Sequence, residues 1–149
     1  MKNQAGMTMV ELIVAIAITG VIVAFLGTAI YQIITVSEYG NNRLTALHEL
    51  QNAAYWLNMD GQGARAATGG GQLVLTLSDN SSVTYSLSGT ELRRTSGNSQ
   101  VTLARNISSV TFTVNSRVIT MSLTSAPVAR DNVSQSGTYM VYLRPAGGS

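Results

Sequence analysis

Between Leu12 and Val36 the chain carries 25 residues without a charge, nearly all of them apolar. As a helix this run is about 38 Å long at 1.5 Å per residue, against a bilayer hydrocarbon core of about 30 Å. It is long enough to span. Past the run, Val36, Tyr39, Leu44, Leu47, Leu50, Ala54 and Leu57 recur mostly three or four apart, which predicts a helix with one apolar stripe. One step of five falls at Gly40-Asn41-Asn42, where a kink or a change of helix phase is expected. The pattern predicts one long helix from Met7 to about Met59, with residues 7–36 in lipid and residues 37–60 amphipathic. DGQGARAATGGG (60–71) stops it, leaving 61–71 as a Gly-rich connection.

After Gly71 the period changes to two. LVLTL (73–77), VTYSL (83–87), ISSVTFTV (107–114), VITMSL (118–123) and TYMVYLRP (138–145) read as strands, with ELRRT and QVTLA as a shorter pair. The short turns SDNSS (78–82) and NSR (115–117) favour antiparallel hairpins. SAPVARDNVSQSG (125–137) reads as a polar loop before the last strand. One apolar face of such a sheet must be covered, and the outer stripe of the long helix is the cover at hand. The expected fold is α+β: a ladle whose handle is the helix, with an antiparallel β head (72–149) packed on the helix's far half.

Charged residues make up 11 % of the chain and apolar ones 45 %, with a net charge of +2. That balance is too small to argue for nucleic acid by itself. From Gly61 onward seven Arg stand against Asp79, Glu91 and Asp131, a local charge of +4, while Glu38 to Asp60 carries −2. A basic head on an acidic stem either steers toward anionic partners or is an ordinary solvated surface. Arg93-Arg94 is the sharpest basic feature, a candidate contact for DNA phosphates or another anionic partner. Neighbours on a strand point to opposite faces, however, so the two do not form one patch.

Other chemistry is sparse. No cysteine is present, which removes disulfides and thiol chemistry. His48 stands alone, without a Cys or second His to share a metal, and no metal or cofactor is expected. GGG at 69–71 precedes a strand and lacks the Lys-Ser of a phosphate loop. Asp79, Glu91 and Asp131 are too scattered for paired-carboxylate hydrolysis. No enzymatic activity is expected.

One charge does not fit a plain anchor. Glu11 sits just ahead of the apolar run, where an acid is costly. A removable secretory signal has a shorter apolar core than this run. A simple signal anchor fits the length but leaves Glu11 without a purpose. The same helix has a small-residue face, Ala17, Gly20, Ala24 and Gly27, spaced for close backbone approach between helices.

Lys2 and a short polar leader ending in Gly6, followed by MTMVELIVAIAITGVIV, resemble the type IV prepilin signature. That signature is a Gly, a hydrophobic residue, Thr, two apolar residues, Glu and an apolar helix. Thr8 and Glu11 match its positions, and Gly20 falls at a common mid-helix Gly. Met7 departs from the usual Phe, and Thr28 stands near where a Pro is frequent. The head is similar, more loosely, to minor subunits of the pseudopilin J or pilus W type through VTYSLSGTELRRTSG and the later ARNISSVTF. Many pilins also pin a C-terminal loop with a disulfide, which this chain lacks.

The resemblance implies cleavage by a membrane prepilin peptidase between Gly6 and Met7, removing the leader 1–6, and methylation of the new Met7 amine. Glu11 then lies four residues along the same helical face. In a monomer the two charges can neutralise each other. In a filament Glu11 can instead meet the Met7 amine of a docked subunit, and an unpaired carboxylate inside an apolar bundle is severely penalised. The implied product is a subunit, minor rather than major, of a type IV pilus or type II secretion pseudopilus. Its implied partners are other pilin or pseudopilin subunits, the peptidase, an inner-membrane assembly platform and membrane lipid. Lys2 before the span and Glu38 after it place the N-terminus in the cytoplasm and the head outside. A rival reading is a membrane-anchored extracytoplasmic binding module for DNA, a surface or a secreted substrate.

Overall fold

The computed structural model describes residues 8–127 and 133–144; the leader 1–6, Met7, Arg130 and Asp131 lie outside the described residues. The chain divides into two compact units, Met1–Tyr39 and Gly40–Ser149. Helix α1 runs from Met9 to Gly63, and residues 40–42 are helical without a break in the assignment. In the first unit apolar side chains point outward on every side, and among residues 8–39 only Thr35 is even half-buried. Such a helix is long and apolar enough to cross a membrane. A helix apolar all round has no use for water on any face.

In the second unit α1 buries Ala46, Leu50, Ala53, Leu57, Asp60 and Gly61. Leu50 and Leu57 are as expected. Leu47 and Ala54 are only half-buried, whereas Val36, Tyr39 and Leu44 are exposed. The contact stripe is narrower than the apolar pattern because alanines 46 and 53 let the helix approach closely. The helix also approaches closely at Gly61, where a Cβ would lie 2.7 Å from Val141 Cγ1. A side chain there would push the helix end off the sheet.

The head is two antiparallel sheets rather than the single sheet expected. The first has the order β1 (Ala64–Thr68), β2 (Gln72–Leu77), β3 (Ser82–Ser88), β4 (Glu91–Ser96) and β5 (Ser99–Ala104). The second is β6 (Ile107–Asn115), β7 (Val118–Ser125) and β8 (Gln135–Tyr142). The stretch 61–71, read as a connection, finishes the helix and contributes β1. At Asn106, with φ of 56°, the chain leaves the first sheet, and β6 pairs with β7 rather than β5. The two sheets touch where Gly70 N–H donates to Phe112 O at 3.1 Å. Gly69 is required beside it, since a Cβ would sit 2.8 Å from the same carbonyl. One apolar core joins α1 to both sheets through Leu50, Leu57, Leu75, Tyr85, Phe112 and Met121.

A buried charge fastens the helix end. Asp60 is 7 % exposed and lies in the last turn of α1, the end where the helix dipole disfavours an acid. Arg94 on the inner face of β4 meets it with two bonds, Nε to Oδ2 at 2.6 Å and Nη2 to Oδ1 at 2.8 Å. Tyr85 on β3 donates its hydroxyl to Oδ2. The Arg94 guanidinium also lies 5.1 Å from the Trp56 ring centroid, a cation–π contact. Burial, followed by the bond to Asp60 and its charge, pushes the Tyr85 phenol up. The bond to Asp60 raises Arg94 further.

Removing one partner of a buried pair strands the other charge, while removing both leaves only lost packing. Asp60→Ala is therefore expected to destabilise the head by about 3–5 kcal/mol, and Asp60→Ala with Arg94→Leu to recover most of that. Denaturant titration of the full chain in micelles, followed by fluorescence of the single Trp56, measures both.

Candidate functional site

The helix start is built by two residues. Thr8 N–H donates to Glu11 Oε2 at 2.8 Å, and the Thr8 hydroxyl donates to the same oxygen at 3.0 Å. In return Glu11 N–H donates to Thr8 Oγ1 at 3.3 Å. This reciprocal arrangement is a capping box, which satisfies N–H groups that have no carbonyl partner in the first turn. The first helical bond, Leu12 N–H to Thr8 O, follows at 3.2 Å. Glu11 is thus useful locally before any second subunit is considered. The Thr-x-x-Glu signal stood in the sequence, although the acid drew attention for its cost and not for its capping geometry. Among the described residues only Oε2 is engaged, leaving Oε1 without a bond.

Further along, each threonine hydroxyl in the apolar run is satisfied within the helix. Thr19 donates to Ala15 O at 2.7 Å, Thr28 to Ala24 O at 3.0 Å and Thr35 to Tyr31 O at 3.0 Å. These bonds suit a segment surrounded by lipid, where water is absent. Thr28, where the resemblance led to a Pro, lies inside continuous helix.

Ala17, Gly20, Ala24 and Gly27 all lie on α1 and are exposed. Nothing stands within 4 Å of where a Cβ would be at Gly20 or Gly27. Gly20 leaves a shallow dent of about 440 Å³, bordered by Ala15, Ile16, Thr19 and Val23. The spacing of three and four puts the small residues along one strip of the helix surface.

The two arginines point to opposite faces of β4, and each has a carboxylate partner in the same chain. Arg94 faces inward onto Asp60, as described above. Arg93 faces outward onto Glu91, with Nη2 at 2.9 Å and Nε at 3.1 Å from Oε2. The Arg93 bond holds the Glu91 carboxyl below the usual range. Thr102 and Arg105 flank the same acid, at 3.3 Å and 3.8 Å. An external anion would have to compete with these carboxylates. Neither Asp60 nor Tyr85 was singled out from sequence; the signal was Asp60's position, three residues after Leu57 on the buried stripe. Among the described residues no three His, Asp or Glu side chains gather as a metal site.

Residues 1–27 match the family model described as the Prokaryotic N-terminal methylation motif. The match covers 27 of the 149 residues and includes Gly6, Met7, Thr8, Glu11 and the whole small-residue strip. No curated protein and no solved structure matches the chain. The methylation motif, the long apolar helix and its packing against antiparallel sheets together support a type IV pilin-like chain, structural in kind and anchored in a membrane.

Proposed function

We propose that this chain is a minor structural subunit of a type IV pilus or a type II secretion pseudopilus. A membrane prepilin peptidase removes residues 1–6, the Met7 amine is methylated, and residues 7–36 enter a helical bundle of like subunits. The N-terminus starts on the cytoplasmic side and the head lies outside. The observation that carries the reading is Glu11, the one charged side chain in the otherwise apolar, lipid-suited segment 7–36, within a recognised methylation motif. The capping box uses one carboxylate oxygen, so the other is available for a cation.

The physics of such a site is selective. A carboxylate entering an apolar bundle needs a positive partner, and the methylated terminal amine keeps its charge at neutral pH. Pairing within the subunit serves while it waits in the membrane edge. Pairing with the amine of a docked neighbour fixes the axial position of the incoming helix. The strip of Ala17, Gly20, Ala24 and Gly27 then allows close contact, where dispersion and not the hydrophobic effect supplies the attraction. Support for a minor rank comes from the head's likeness to minor subunits.

Processing is checked by intact mass of the chain produced beside a prepilin peptidase. The expected product begins at Met7 and carries one added methyl group; a chain still beginning at Met1 would sink the processing step. Assembly is checked with Glu11→Gln, which keeps shape and a hydrogen-bonding oxygen but loses the charge. Membrane insertion should persist while incorporation into filaments falls to background, as read by shearing and immunoblotting. Unchanged incorporation would sink the register role.

A further inference from the structure

Open sheet edges invite strand addition, and folded proteins usually blunt them with bulges, charges or covering groups. Three of the four edge strands here are blunted. β1 carries an extra residue at Arg65, β5 at Leu103 and β6 at Ser108, where the pairing registers shift. The helix also caps β5: Asn52 donates to Leu103 O, and Glu49 accepts the Arg105 N–H at 2.7 Å. Gly70 bonds to β6, and Arg144 N–H donates to Ala64 O on β1 at 3.2 Å.

Among the described residues β8 has none of these devices. It pairs with β7 over eight residues in unbroken register. No charge occurs from Val133 to Leu143. Leu143 N–H donates to Arg117 O at 2.8 Å, which sets the alternation of an antiparallel ladder. Gln135, Gly137, Tyr139 and Val141 therefore turn their backbone groups to β7, and Ser136, Thr138, Met140 and Tyr142 turn theirs outward. Among the described residues that outward row has no backbone partner outside its own sheet.

A groove of about 430 Å³ runs beside this edge, between Ala54, Tyr55 and Asn58 of α1 and Tyr139, Met140 and Val141 of β8. Tyr55 and Met140, 62 % and 65 % exposed, border the opening, while Tyr142, 72 % exposed, alternates onto the far face of the sheet. On the far face of the sheet, Ser122 bonds to Thr138 at 3.0 Å and Thr124 to Ser136 at 2.9 Å, giving an uncharged hydroxyl row.

We propose that the β8 edge takes up an uncharged extended segment of a neighbouring polypeptide, added antiparallel or parallel as a fourth strand of the second sheet. A row of alternate main-chain donors and acceptors is matched by another strand, which supplies the same row in return. Every second side chain of that strand would enter the groove beside Tyr55, where an apolar residue fits and a charge would be desolvated. Its other side chains would extend the Ser/Thr row, where small hydroxyl or β-branched residues fit. The partner is thus defined by chemistry: an alternating apolar and hydroxyl segment without charge. This reading does not rest on filament assembly, since the edge belongs to the head and not to residues 7–36.

The test uses the full chain in detergent micelles and a blocked octapeptide alternating threonine and valine. Hydrogen exchange should slow at the amides of Ser136, Thr138, Met140 and Tyr142 when the peptide is added, and stay unchanged at Tyr139 and Val141. A peptide N-methylated at alternate amides should bind about tenfold or more weakly, as expected for losing several main-chain bonds. Met140→Pro removes one outward N–H at a position where an edge tolerates proline, and should weaken binding similarly. Thr138→Lys, which keeps the backbone intact, should do so by placing a charge on the row. Glu11→Gln should bind the peptide normally, which separates a failure here from a failure of the assembly reading. Equal binding by the methylated peptide, by Met140→Pro or by Thr138→Lys would overturn the proposal. So would rapid disulfide dimerisation of a Thr138→Cys, Met140→Cys chain without peptide, because the edge would then belong to a second copy.

Discussion

A carboxylate removed from water must find a positive or hydrogen-bonding partner, and this requirement acts at both ends of α1. At the C-terminal end Asp60 is buried against the sheet, in the part of the helix where the macrodipole is least welcoming to an acid. Arg94, Tyr85 and the ring of Trp56 answer it with two charge-assisted bonds, a phenolic hydrogen bond and a cation–π contact. The ion pair connects α1 to the first sheet, and Gly61, one residue on, brings α1 against Val141 of the second. Fixing this short stretch of helix therefore orients both sheets. At the N-terminal end the acid is in favourable dipole territory and caps the first turn through Thr8.

The large elements were legible because their periodicities are unambiguous. Twenty-five uncharged residues read as a helix, and alternation in LVLTL, VTYSL and VITMSL read as strands, all of which the structure contains. The helix boundary and stripe were less legible. Ala46 and Ala53 carry little hydrophobic weight in a pattern, yet small size is what permits contact with the sheets. β1 was hidden because Ala-Arg-Ala-Ala-Thr has no strand preference of its own; it becomes a strand by pairing with β2. The chain leaves the first sheet at one residue with positive φ, Asn106, and the two sheets touch at a glycine bridge, Gly70, neither of which alters a hydrophobic pattern.

Candidate site residues divided along the same line. The motif around Gly6, Met7 and Glu11 is local in sequence, so its order could be read directly. Arg93 and Arg94 were visible as a basic pair, but their partners were not. Asp60 lies 34 residues from Arg94, and only the fold brings the two together. Even Glu91, two residues from Arg93, needs strand geometry to place both side chains on the same outer face. Long-range pairing turns what looked like spare positive charge into internal fastening, which weakens the electrostatic case for nucleic acid.

The two ends of α1 also differ in how complete they are. Around Asp60 both carboxylate oxygens are engaged within the chain, two of their bonds coming from the Arg94 guanidinium. Around Glu11 the described residues engage one oxygen, and the segment from Leu12 to Tyr39 buries no side chain. A chain meant to act alone gains nothing from an acid on a lipid-facing helix beyond a cap that an uncharged glutamine would also provide. Charge at that position has a purpose when a cation arrives, and in an apolar bundle the attraction is strong because little water screens it. On the proposed reading, the charge cluster at the far end of α1 is completed within the chain, while the helix start is completed by another subunit. The acid's charge, and not its capping bond, is then what assembly selects.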